Sequence, residues 1–498
     1  MADRIIYKKL LARVKEATAI ELSLGILDWD RKVYMPDAGI KQRAYEISVL
    51  SKLAHQTFTS SITGDLLKES WKIDDLTEIE RRNLEILQRN YDRETKLPDD
   101  FVEKFSHHIQ HTEHLWEKAK KKSDFSIIRD DLQKMIELNN QKAHYIDPDK
   151  KPYDVLLDIY EPQITELQIS TYFKTLKDGV LEIVDKCQSS TIEGDPSILK
   201  AKTDIETQRK ISGWLIDFIG LDPSQSRLDE AEHPFTTGYG KDVRITTHYL
   251  EDDPMGSFYS VMHEAGHAKY EQGLPEEYLW TPIGDSVGLG VHESQSRFIE
   301  NMIGKSDAFL SFMFPKLQNL VPAYRNLKYE NFLKAVNAVI PSKIRIYADE
   351  VTYNLHIILR FELERDIFAG KIDIDDLPGI WNGKMLDYLN QDIKDDSKGV
   401  LQDTHWYGGA FGYFPDYALG NIYDGQLLHC MESDISDWKE QLREGNGTEI
   451  LNWLDKNVHK KGFMHDPVEL MLEVTGEKPD AKYFNDYLRE KFSEIYNF

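Results

Sequence analysis

The stretch Ser257–Gly273, SFYSVMHEAGHAKYEQG, constrains the chain more than any other. His263 and His267 are four positions apart, so on a helix they project from one face and can grip a single metal ion. Glu264 follows the first histidine and can reach an activated water as general base. Two neutral imidazoles plus one carboxylate suit zinc and leave a fourth position open. The alternative is a surface helix with two solvated histidines. Context favours burial, because Phe258, Val261, Met262, Ala265 and Ala268 sit at mixed helical spacings. Ser257 is expected to cap the helix start, just after the Pro254–Gly256 turn signal.

Charge narrows the partners. The 498 residues include 61 Lys and Arg against 86 Asp and Glu, a net charge of −25. That balance argues against nucleic acid and anionic membranes as primary partners and suits a soluble protein handling neutral or cationic solutes. Cys187 and Cys430 form no ligand-spaced set and are expected to be reduced. The start, MADRIIYKKLLARVKE, has no unbroken apolar core for a signal peptide, and no stretch is apolar enough to span a bilayer. The expected location is the cytoplasm.

Apolar periodicity predicts helices through most of the chain. They cover Tyr7 to about Trp29, the run after Pro36 and Gly39, Glu78–Lys96, Asp100–Lys122, Ile127–Ala143 and Leu167–Cys187. Further helices are expected over Tyr324–Val339, Lys343–Phe368, the region after Asp376, Pro467–Val474 and Tyr483–Tyr496. Only DVRITTHYL, from Asp242, reads as strand. It is expected to be either the wall of a groove along which a peptide pairs or a plain hairpin edge. The fold class is mainly α with a small sheet beside the HEAGH helix. No repeat or linker divides residues 1–498, so one domain is expected.

Other stretches offer chemistry. Glu293, in GVHESQSRFIEN, lies 26 positions after His267 and can join the metal if a second helix crosses the first. An exposed helical glutamate is the competing reading. SHHIQHTEH places His107, His111 and His114 on one helical face, read as solvated. Arg345 lies near the start of IRIYADEVTYNLHIILRFELE, taken as an amphipathic helix. Its guanidinium can hold a peptide's terminal carboxylate or simply pair with Asp349. GVLQDTHWYGGAFGYFPDYALGN brings His405, Tyr413 and Tyr417, whose donors could steady an oxyanion; otherwise it is an aromatic-packed turn.

In order, HPF (His233–Phe235), DVRIT (Asp242–Thr246), HEAGH (His263–His267), HESQSR (His292–Arg297), IRIYAD (Ile344–Asp349) and GVLQDTHW (Gly399–Trp406) resemble the thermostable, Taq-type metallocarboxypeptidases of the gluzincin superfamily. Looser matches at DWDRKVYMP, YDVLLDIYEP and VHKKGF extend the resemblance over nearly the whole chain. It implies a helical catalytic unit with a deep groove, usually a homodimer, that releases single residues from a free C-terminus with broad specificity and disfavours proline. It implies one Zn2+ per chain, replaceable by Co2+, held by His263, His267 and Glu293, with Glu264 as base. His405 and Tyr417, with Tyr413 less directly, would contact the scissile carbonyl or the intermediate. Arg345, or else Arg244, would take the substrate carboxylate. A gluzincin oligopeptidase or dipeptidyl carboxypeptidase would share the metal triad but anchor substrate differently. A non-catalytic peptide-binding protein would keep the groove and have no use for Glu264.

Overall fold

The computed structural model describes residues 2–498 and is helical throughout apart from one small sheet. The first helix, Ala2–Val33, stops before Pro36 and is followed by Ile40–Phe58. Leu97–Pro98 separates Glu78–Thr95 from Asp99–Lys122, as the proline requires. One large apolar core runs from Ile86 to Tyr496, and a small satellite core around Leu10 and Leu84 lies under the N-terminal helices. Cys187 and Cys430 are both free thiols.

Several local expectations are corrected. The cap of the HEAGH helix, Pro254–Gly273, is Asp253, whose side chain accepts the Gly256 N–H, with Pro254 in the first turn. Ser257 is inside the helix and donates instead to Gln208 at 2.8 Å. Tyr324–Val339 shrinks to a 3-10 turn at Pro322–Tyr324 and a helix over Tyr329–Val336. Arg345 stands in the isolated 3-10 turn Arg345–Tyr347, and the long helix begins only at Tyr353. Asp349 causes the break: its carboxylate accepts the N–H groups of Ile340, Val351 and Thr352, bonds that compete with helix. The helix Tyr353–Phe368 is buried on all sides over most of its length rather than amphipathic.

The sheet has the order β1-β3-β2, with β1 at Ser226–Glu230, β2 at Thr236–Tyr239 and β3 at Asp242–Thr247. β1 runs parallel and β2 antiparallel to β3. The DVRIT strand is therefore central, and both its edges are already paired. A peptide cannot add to it, which overturns that part of the expectation. β2 is an outer strand instead, and Thr236 at its start touches the HEAGH helix.

The feature that positions the site is a close helix crossing. Gly266, between the two motif histidines, faces the backbone of the HESQSR helix, Leu289–Arg297. A Cβ there would lie 2.6 Å from the Gln295 carbonyl oxygen and 2.7 Å from the Ser296 Cα. On the other side, a Cβ on Gly420 of the helix Pro415–Asp434 would sit 3.2 Å from the Glu293 Cγ. Two glycines thus let three backbones close around Glu293. Gly266→Ala is expected to destabilise the protein by about 1–3 kcal/mol in denaturant unfolding, the usual cost of overpacking. Unchanged stability would show that the crossing has slack.

Candidate metal centre

The crossing brings Oε2 of Glu293 to 3.6 Å from Nε2 of His263 and 3.5 Å from Nε2 of His267. One donor atom from each of the three residues lies within 4.8 Å of the others, the one such group among the described residues. The set has the composition and openness of a three-ligand catalytic site. The residues of SHHIQHTEH form no comparable group; His107, His111 and His114 are exposed, as expected of a solvated face.

Each donor is held from behind. His263 Nδ1 bonds Glu300 at 2.9 Å, and Glu300 is in turn gripped by Lys305 at 3.0 Å. His267 Nδ1 lies 2.7 Å from His292 Nδ1, and His292 Nε2 lies 3.0 Å from Glu271. Protons on His267 Nδ1 and His292 Nε2 satisfy that relay and leave His267 Nε2 as a bare lone pair. Arg297 donates to the second oxygen of Glu293 at 2.8 Å, which leaves Oε2 turned to the histidines. Glu300 sits in a π-helical turn, Phe298–Ile303, that continues the HESQSR helix, a distortion that recurs at functional sites.

The electrostatics suit a cation. Burial lowers the pKa of His263, but Glu293, Glu300 and Glu264 outweigh it and hold it up at about 9. Three carboxylates around one imidazole invite a positive charge. Burial raises the pKa of Glu264, against His263 and the Thr236 hydroxyl, which donates to Oε2 at 2.6 Å. A carboxylate with raised basicity beside two imidazoles fits a general base.

A second cluster is connected to the trio through Tyr353 and Arg297. His405, Tyr413 and Tyr417 lie together, with ring centroids 5.4 Å apart for His405–Tyr413 and for Tyr413–Tyr417, and 6.4 Å for His405–Tyr417. Burial pushes the His405 imidazole down to about 4, so it is neutral at pH 7. Arg345 lies 5.1 Å from the Tyr417 ring, and Tyr353 links the clusters, with Tyr417 6.3 Å away and the Arg297 guanidinium 4.2 Å over its ring. Arg345 does not pair with Asp349. Its Nε and Nη2 donate to Asp403 and its Nη1 to the Tyr353 hydroxyl. Asp403 is shared with the fully buried Arg360. Burial opposes its charge, yet Arg360 and Arg345 hold it well below the usual carboxylate range. Arg244 stands apart, bonded to Asp242 and stacked 4.3 Å over Trp29.

Sequence reasoning missed the groups that hold these residues: Glu300, His292, Glu271, Arg297, Thr236 and Asp403. All but Thr236 stood inside the quoted stretches; His292, Arg297 and Asp403 were in the matched motifs themselves, whereas Glu300 and Glu271, in the flanking residues, carried no signal of their own. Replacing Glu300 or His292 with Ala is expected to weaken metal affinity about 10- to 100-fold. Chelator competition measures this, and wild-type affinity in both variants would contradict the supporting roles.

Comparison with known proteins identifies the family. Residues 9–492 match the model of the family described as carboxypeptidase Taq (M32) metallopeptidase. Carboxypeptidase 1 of Bacillus subtilis is 35% identical over 98% of both chains, and thermostable carboxypeptidase 1 of Thermus thermophilus is 37% identical over 100% of both. The crystal structure of the M32 carboxypeptidase from Deinococcus radiodurans superposes with a TM-score of 0.96 at 32% identity, covering 99% of this chain and 100% of that one. A Pyrococcus furiosus carboxypeptidase structure gives 0.94 at 35% identity, covering 98% and 99%. The chain belongs to the carboxypeptidase Taq (M32) metallopeptidase family and is a metal-dependent carboxypeptidase.

Proposed function

We propose that the protein releases single amino acids from the free C-terminus of peptides, with broad specificity and proline disfavoured. The observation that carries this reading is the convergence of His263, His267 and Glu293, each oriented by a separate partner, next to Glu264. These three would hold one Zn2+, with Co2+ able to substitute, since the donor set is two imidazoles and a carboxylate. When bound, the ion supplies Lewis-acid polarisation of the scissile carbonyl and acidifies a water.

The chain's own groups do the rest. Glu264, kept in place by Thr236, takes a proton from the attacking water and passes it to the leaving amine. Neutral His405 and the Tyr417 phenol, with Tyr413 beside them, donate to the carbonyl oxygen as negative charge builds there. Arg345 takes the substrate's terminal carboxylate. Its bonds to Asp403 and Tyr353 leave one N–H on each terminal nitrogen, a pair matched to two carboxylate oxygens. Arg244, whose guanidinium is turned to Asp242 and Trp29, is the second choice. Residues 1–498 act as one catalytic unit, working as a homodimer in the cytoplasm.

Two experiments test this reading. Glu264→Gln is expected to keep its metal and lose about 100- to 10,000-fold in kcat, the usual range for a general base; near-normal kcat would refute the mechanism. A mass-spectrometric time course on one peptide, with free and with amidated C-terminus, should give a single-residue ladder from the free form alone, stopped by a chelator. Internal or two-residue cuts, or equal cleavage of the amide, would refute single-residue exopeptidase action.

A further inference from the structure

Glu161, in the stretch YDVLLDIYEP, has no part in the chemistry above, yet it is among the most deeply buried carboxyls of the molecule, 1% exposed. A carboxylate so far from water requires strong local compensation. Its Oε2 accepts the Gly290 N–H at 2.9 Å and its Oε1 accepts the Tyr423 hydroxyl at 2.7 Å. Gly290 is the second residue of the HESQSR helix and lies three positions before Glu293.

That helix has a poor start of its own. The residue before it, Gly288, provides no side-chain cap, and its first turn contains no acidic residue. Early N–H groups of a helix need acceptors, and its positive end favours an anion. Glu161 supplies both from 129 positions away in the chain. The glycines make the room: a Cβ on Gly288 would collide with Oε2, and one on Gly290 would lie 2.8 Å from Oε1. Tyr423 stands on the helix Pro415–Asp434, the same helix that presses Gly420 against Glu293. One carboxylate thus ties the start of the Glu293 helix to the helix packed along it.

We propose that Glu161 is a positioning residue of the metal centre, capping the HESQSR helix from outside and so fixing where Glu293 meets His263 and His267. The proposal rests on the reading of those three residues as ligands. Nearby Asp416 has both oxygens unpartnered, and burial and Glu161 hold it well above the usual carboxylate range. Burial raises Glu161 as well, against the Tyr423 hydroxyl and the Gly290 N–H that donate to it.

The test is titration of metal-free protein with Zn2+ alone against a chromophoric chelator, for the wild type and for Glu161→Ala, Glu161→Gln, Tyr423→Phe and Glu293→Ala. Unfolding midpoints of the metal-free variants are read separately, so that lost stability is not mistaken for lost affinity. Glu161→Ala should weaken zinc binding about 10- to 100-fold, as for other residues that support ligands. Glu161→Gln, which keeps an acceptor for Gly290, should recover most of that loss, and Tyr423→Phe should lose less than Glu161→Ala. Wild-type zinc affinity in Glu161→Ala overturns the proposal. Should that variant not fold, Tyr423→Phe decides: weaker zinc supports the positioning role and unchanged zinc overturns it. Unchanged affinity in Glu293→Ala would instead overturn the ligand reading on which the proposal stands.

Discussion

The approach of the HEAGH and HESQSR helices at Gly266 is the contact on which the rest of the molecule depends. Two histidines one turn apart on a helix are common; they become a three-donor centre only when a second backbone comes close enough to present a carboxylate. Gly266 meets the backbone of Gln295 and Ser296, and Gly420 closes on Glu293 from the opposite side. Larger side chains at either place would hold the helices apart, and the donor atoms with them. The buried apolar residues of the HEAGH helix, Val261, Met262, Ala265 and Ala268, supply the driving force that keeps this crossing closed.

Burying so many charges carries a desolvation cost that packing alone does not meet. Around the site the molecule offsets much of it by pairing. Glu300 lies between His263 and Lys305, Glu293 is held by Arg297, and Asp403 is shared by Arg345 and Arg360. These pairings also orient. Asp403 anchors the GVLQDTHW segment two residues before His405, and the His292–Glu271 relay selects the tautomer of His267 that points a lone pair at the centre. Stability and catalytic geometry therefore rest on the same ion pairs.

Much of this was legible in the residues. Helix periods were read correctly where one face is apolar, as in Leu167–Cys187 against the observed Glu166–Ser189. The reading failed where side chains compete with the backbone. Asp349 unwinds the approach to Tyr353, and Asp253 takes the capping place assigned to Ser257. The sheet was seen only at β3, because SRLDE and TTGY show no alternation that short strands need to be noticed. At the site, the trio His263, His267 and Glu293 could be proposed from spacing and motif order. Glu300 and Glu271 could not, because their roles depend on how helices cross.

The most direct test of the account is X-ray absorption spectroscopy of the zinc-loaded protein. The account predicts a first shell of nitrogen and oxygen at about 2.0–2.2 Å, with multiple scattering from two imidazoles and no sulfur. Scattering from one imidazole or none, or a sulfur shell at about 2.3 Å, would place the metal elsewhere and contradict the centre built by the helix crossing.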